Sequence, residues 1–203
     1  VLGKRFALDY VSGTSTDQTH DFGVISGPIA ETGNYKIQYY ITVNSDHDTP
    51  TASQWVNEHG GLTVSVTSPT EIVVDDHQWI CTGYNLDGAP SVVGTSYAFS
   101  DVTAAHTITF NWLEQFWIQV NSDHGSPYTA SAWVNAGNDF TASATDPDVV
   151  AAGHRWICIG HSVDGGASEP GSSHTFSAVD NAHTIVFNWQ EQWKQTFSSS
   201  GLG

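Results

Sequence analysis

The chain has 203 residues, long enough for one large domain or two to three small ones, and its 39% hydrophobic content with eight Trp, seven Tyr and nine Phe supplies a core. No apolar run approaches the ~18–20 residues of a membrane-spanning helix, and the composition is not that of a disordered chain. A formal charge of −16 with only five Lys and Arg argues against nucleic acid and anionic membrane surfaces as partners, and suits solubility or divalent cations.

Met is absent, and Thr, Val, Ser, Gly and aromatic residues dominate, which is strand and turn chemistry. No stretch sustains a 3.6-residue period, so little or no helix is expected. The chain opens at Val1 with neither an initiator Met nor a signal pattern, and reads as a mature or excised piece of a longer precursor.

Residues 1–36 resemble the second half of a repeating unit whose first half is missing. Arg5-Phe6 matches Arg155-Trp156, and Gly33-Asn34-Tyr35 with Gln38-Tyr39 matches Phe187-Asn188-Trp189 with Gln192-Trp193. Within this partial module Phe6, Leu8, Tyr10, Phe22, Val24 and Tyr35 are the apolar positions expected to accept a missing strand.

Residues 37–113 and 114–190 are two whole repeats. Tyr40-Ile-Thr-Val-Asn-Ser-Asp-His47 returns as Trp117-Ile-Gln-Val-Asn-Ser-Asp-His124, and His77-Gln-Trp-Ile-Cys81 as His154-Arg-Trp-Ile-Cys158. Ala105-His-Thr-Ile-Thr-Phe-Asn-Trp112 returns as Ala182-His-Thr-Ile-Val-Phe-Asn-Trp189. The period is 77 residues, with one insertion before Trp133. Tyr40 to Asn44, Leu62 to Val66 and Thr107 to Trp112 alternate with period two, and turn residues such as Asp48-Thr-Pro50, His59-Gly-Gly61 and Leu86-Asp-Gly88 interrupt them. The expected fold is all-β, in tandem small antiparallel β-sandwich modules of Ig-like or β-grasp-like kind. Residues 191–203 restart a unit and stop after one strand's worth of chain, through Lys194, Gln195, Thr196, Phe197, Ser198 and Leu202.

The repeated tryptophans read as core and inter-unit packing, with sugar stacking as the rival; if buried, their ring N–H groups need partners, which neighbouring Asn and Ser could supply. Cys81 and Cys158 hold equivalent places in different units and read as buried free thiols. Among ten histidines, His47/His124, His77/His154 and His106/His183 are repeated, whereas His20, His59, His161 and His174 are not. Asp46-His47 and Asp123-His124 sit before turn residues and could hold Zn, Cu or Ni, although satisfied loop histidines are the plainer reading. No nucleophile elbow, phosphate loop or calcium-loop spacing is present, so no enzyme is expected, and no cofactor beyond such a divalent cation.

The order of motifs resembles the tandem modules of archaeal and bacterial cell-surface proteins, similar to the divergent InlB B-repeat type. Asn44-Ser45 to Pro50 and Trp55 to Gly60 carry the opening, Trp79 to Gly83 and Trp156 to Gly160 the centre, and Phe110 to Gln115 and Phe187 to Gln192 the close. The family's second centre Trp stands here as Tyr84 or His161. The resemblance implies an extracellular or cell-surface location and scaffolding, adhesion or display, with no catalytic residues to carry over. Combined with the divided module, the expectation is a homopolymer built head to tail, a filament, tube or sheath, in which the tail of one copy completes the N-terminal half-module of the next by donor-strand complementation. The alternative is an adhesin or carbohydrate-binding module, with glycans or other surface proteins as partners.

Overall fold

The computed structural model describes residues 3–11 and 32–198. Among them the chain is all-β, with no helix, and so no helix long and apolar enough to cross a membrane. The strands are β1 (Lys4–Val11), β2 (Gly33–Asn44), β3 (Gln54–Asn57), β4 (Leu62–Ser65), β5 (His77–Leu86), β6 (Ser96–Phe99), β7 (His106–Asn121), β8 (Ala132–Asn135), β9 (Phe140–Ser143), β10 (Asp148–Ala151), β11 (His154–Val163), β12 (Ser173–Phe176) and β13 (His183–Trp193). They fall into two compact units, Val1–Thr70 with Cys81–Trp112, and Glu71–Ile80 with Leu113–Gly203.

In the first unit β2 is flanked by β1 and β3, both antiparallel, and by β7 in parallel; β4 and β6 form a separate two-stranded sheet. The second unit repeats the plan. There β7 carries β8 antiparallel and β13 parallel, β13 carries β11, and β9 pairs with β12. Ile41 to Asn44 lie beside His106 to Thr109, and Ile118 to Asn121 beside His183 to Val186. These parallel pairs correct the purely antiparallel expectation. Turn residues reveal which neighbours in sequence can fold back on each other, but a repeat's opening and closing strands meet only after the intervening strands have crossed over. β7 is also longer than any strand the turns suggested, because it closes one repeat and opens the next without a break.

The two cores correspond position for position. Ile41, Val43, Val56, Val64, Phe99, Ile108 and Phe110 are buried in one, and Ile118, Val120, Val134, Ala142, Phe176, Ile185 and Phe187 in the other. Each lies on the inward side of an alternating strand, so the period-two pattern and the core are one fact. Burial of each large side chain contributes roughly 1.5–3 kcal/mol, the main favourable term here. At one core position the repeats differ in polarity beyond an aliphatic exchange: the first unit buries Tyr84, and the second buries His161.

Repeated polar contacts fix the turns. Asp87 and Asp164 adopt φ of 51° at the head of Asp-Gly turns. Each carboxylate accepts a hydrogen bond from an amide of the repeat's closing strand, Thr107 on β7 or Thr184 on β13, at 2.8 Å, and lies 2.7 Å from an imidazole Nδ1, His106 or His183. Trp112 Nε1 donates to Ser45 Oγ at 2.9 Å and Trp189 Nε1 to Ser122 Oγ at 3.0 Å, so serine supplies the indole partner in both repeats. Cys81 and Cys158 are free and half-buried, and burial pushes the Cys158 thiol up from its ordinary value.

Candidate functional site

The long strands share a joint that occurs three times and is completed twice. At the first, Gln38 lies opposite Asn57 and its amide nitrogen donates to Asn57 Oδ1 at 2.8 Å. At the second, Gln115 lies opposite Asn135 and donates at 2.7 Å. An aromatic pair seals each joint, Tyr40 on Trp55 at 5.1 Å and Trp117 on Trp133 at 5.3 Å. The glutamine carbonyl is held from the other side, by Arg5 Nε at 2.7 Å or Gln78 Nε2 at 2.9 Å.

Gln192 begins the third joint. Its carbonyl accepts from Arg155 Nε at 2.9 Å, as Gln38 accepts from Arg5. No asparagine meets its amide, and no strand pairs with β13 there in the manner of β3 or β8, among the described residues. Trp193 stacks flat on His154 at 3.9 Å and remains 62% exposed. Beside it lies a depression of about 360 Å³ lined by Val149, Gly153, Arg155 and Lys194 among others.

Beyond β13 the chain continues out of regular structure. The Lys194 amide donates to Gly153 O at 2.8 Å, and Gln195, Thr196, Phe197 and Ser198 are exposed. Phe197 falls 77 residues after Val120, itself 77 after Val43. Those valines are core residues at 8% and 5% exposure, whereas Phe197 is 92% exposed. Leu202 lies outside the described residues.

At the other end, β1 and β2 form a hairpin in which Phe6 pairs with Ile37 and Leu8 with Tyr35, directly opposed residues that share one face. Phe6 is 67% and Tyr35 64% exposed. The corresponding face of the second repeat is covered: His124 stacks on Trp156 at 4.0 Å and meets Trp189 edge-on at 6.0 Å. Tyr10 continues the hairpin opposite Asn34, and Phe22 and Val24 lie outside the described residues.

Among the described residues, no group of three close metal-ligating side chains includes Asp46, His47, Asp123 or His124. His47 meets Trp112 edge-on at 5.8 Å, His124 Nδ1 lies 3.5 Å from Asp148 Oδ2, and Asp46 and Asp123 are exposed. The group of metal-ligating side chains that the described residues do bring together is His161, Glu169 and His174, whose ligand atoms all lie within 4.8 Å of one another. The two histidines are unrepeated, and that departure from the repeat is the signal the sequence carried. No known protein family, curated protein or solved structure matches the chain.

Proposed function

We propose that the chain is a non-enzymatic structural protein of an extracellular assembly, in which copies join end to end. The continuation of β13, Lys194 to Ser198 with Leu202, adds as a strand to the β1–β2 hairpin of the next copy and covers Phe6 and Tyr35. Phe197 carries this reading: it occupies a position that is core in both complete repeats, and it is 92% exposed. Burying such a side chain against an uncovered apolar hairpin face yields roughly 1.5–3 kcal/mol, and the unpaired edge groups of β13 add backbone hydrogen bonds. A head-to-tail contact of this kind uses different surfaces on each copy, so it propagates into a filament, tube or sheath instead of closing as a dimer. The motif resemblance to cell-surface repeat modules points the same way.

Light scattering and electron microscopy of the protein over a range of concentrations test the proposal. Wild type is expected to associate into elongated particles, and Phe197→Asp or removal of residues 194–203 to leave a folded monomer. Association undiminished by both changes overturns it. The exposed Trp193 beside a depression carrying Arg155 and Lys194 supports a second reading, a carbohydrate-binding surface. A monomeric wild type whose indole fluorescence responds to added oligosaccharide, and no longer does so after Trp193→Ala, decides for that one.

A further inference from the structure

His161 is 3% exposed and sits in the second core where the first holds Tyr84. Two more substitutions accompany it at matching positions: Val92 of the first repeat corresponds to Glu169, and Tyr97 to His174. In the first unit Tyr84 and Tyr97 pack ring on ring at 5.5 Å, with Phe99 beyond. In the second the same positions hold two imidazoles and a carboxylate.

The backbone brings these positions together as it does in the first repeat, where Gly83 has φ of 149° and Tyr84 and Val92 exchange the same pair of backbone hydrogen bonds. A bulge after Cys158 brings Gly160 into register, and Gly160 has φ of 147° with the Glu169 carbonyl so near that a Cβ would stand 2.2 Å from it. That close approach lets His161 and Glu169 exchange both backbone hydrogen bonds, at 2.8 and 2.7 Å. β12 then delivers His174, whose Nδ1 lies 3.2 Å from His161 Nε2. His161 Nδ1 is 3.2 Å from the Gly171 carbonyl, which can only accept, so Nδ1 carries the proton and Nε2 presents its lone pair to His174. A backbone carbonyl fixing the far nitrogen is the usual support of a metal-bound histidine.

We propose that His161 Nε2, His174 Nδ1 and the Glu169 carboxylate bind one divalent transition ion of the zinc class. Two nitrogens on one zinc ion at ~2.0–2.1 Å with tetrahedral angles stand about 3.3 Å apart, close to the separation found. Glu169 Oε2, 4.0 Å from His161 Nε2 on an exposed side chain, closes on the ion by side-chain rotation. In the metal-free form a proton on His174 Nδ1 bridges the two rings. When the ion takes its place, neutral His174 carries its single ring proton on Nε2 instead, so binding needs no net loss of a proton. Phe176 and Phe187 pack against the histidines at 4.7 and 6.1 Å and wall off the inner side.

The test is titration of the whole chain with Zn²⁺ by calorimetry, and with Co²⁺ by visible absorption. One tight equivalent with a four-coordinate cobalt spectrum is expected. Replacing all three ligands by their counterparts in the first repeat, His161→Tyr with Glu169→Val and His174→Tyr, restores a packing the protein already uses, and should weaken that site by about 100-fold or more. Glu169→Gln, an exposed change that leaves the core alone, should weaken it by at least about 10-fold. Absence of a tight equivalent in wild type overturns the proposal, as does an equivalent that survives the triple replacement.

Discussion

The Nδ1 atom of His106, the first residue of β7, lies 2.7 Å from the carboxylate of Asp87, in the turn that ends β5. The same pair returns as His183 and Asp164, also at 2.7 Å. Burial raises the pKa of both aspartates, but the threonine amide and the imidazole outweigh it and leave each below its ordinary value. A carboxyl with a depressed folded pKa stabilises the fold above its unfolded pKa of about 3.9 and ceases to do so as pH falls through the folded value.

Thermal melts between neutral pH and pH 2 are therefore expected to show a loss of stability beginning near pH 4. Asp87→Asn combined with Asp164→Asn should lower the melting temperature at neutral pH and flatten that slope. A slope unchanged in the double variant counts against these pairs as its source.

His174 contributes in a separate window. Burial, then the neighbouring His161, lowers its pKa, against an opposing pull from Glu169. Because the unfolded chain takes up the proton first, metal-free protein should lose stability as pH drops below about 6.5. His174→Tyr should remove that component and leave the acid loss near pH 4 in place, as read from the same melts.

Truncation of the core aromatics should be costly in both units. Phe110→Ala and Phe187→Ala each remove a buried ring, at 2% and 3% exposure, and are expected to cost about 3–5 kcal/mol in denaturant unfolding. Ser122→Ala leaves the Trp189 indole N–H without its partner and should cost about 1–3 kcal/mol.

Gly160→Ala should destabilise by more than about 1 kcal/mol, since its φ suits glycine and the new Cβ would strike the Glu169 carbonyl. By moving Glu169, the same change should weaken Zn²⁺ binding. Unaltered stability would mean that the bulge relaxes freely.

Thr196→Pro probes the assembly strand without touching the folded units. Proline removes a backbone donor from the added strand, so association should fall while the melting temperature of the monomer stays within a degree or so of wild type, as expected for an exposed surface change. Equal light scattering from both proteins would exclude strand addition through this segment.

Much of the fold was legible because the repeat reports it twice. Ile41 and Ile118, Val43 and Val120, Phe110 and Phe187 mark the same inward positions at the 77-residue period, and the serine partners of the tryptophans follow from the shared Asn-Ser sequence. The parallel contacts were not legible, since Ile41 meets His106, 65 positions further along the chain, and no local pattern encodes that meeting. The histidine cluster was missed for an instructive reason. Repetition drew attention to His47 and His124, which pack on Trp rings, whereas His161, Glu169 and His174 matter because they break the repeat where Tyr84, Val92 and Tyr97 keep it apolar.

The course of β7 bears on how such chains can be cut and rejoined. Trp112 and Leu113, consecutive residues of one hydrogen-bonded strand, mark one of the three places where the chain passes between the two units, and there is no loop there to open. Circular permutants or single-repeat excisions that break the chain at this place would sever a ladder, and the new termini would fray into it. Permutants opened at the exposed Asp87-Gly88 or Gly137-Asn138 turns keep every strand whole, so viable rearrangements should carry the end of one repeat and the start of the next as an inseparable piece.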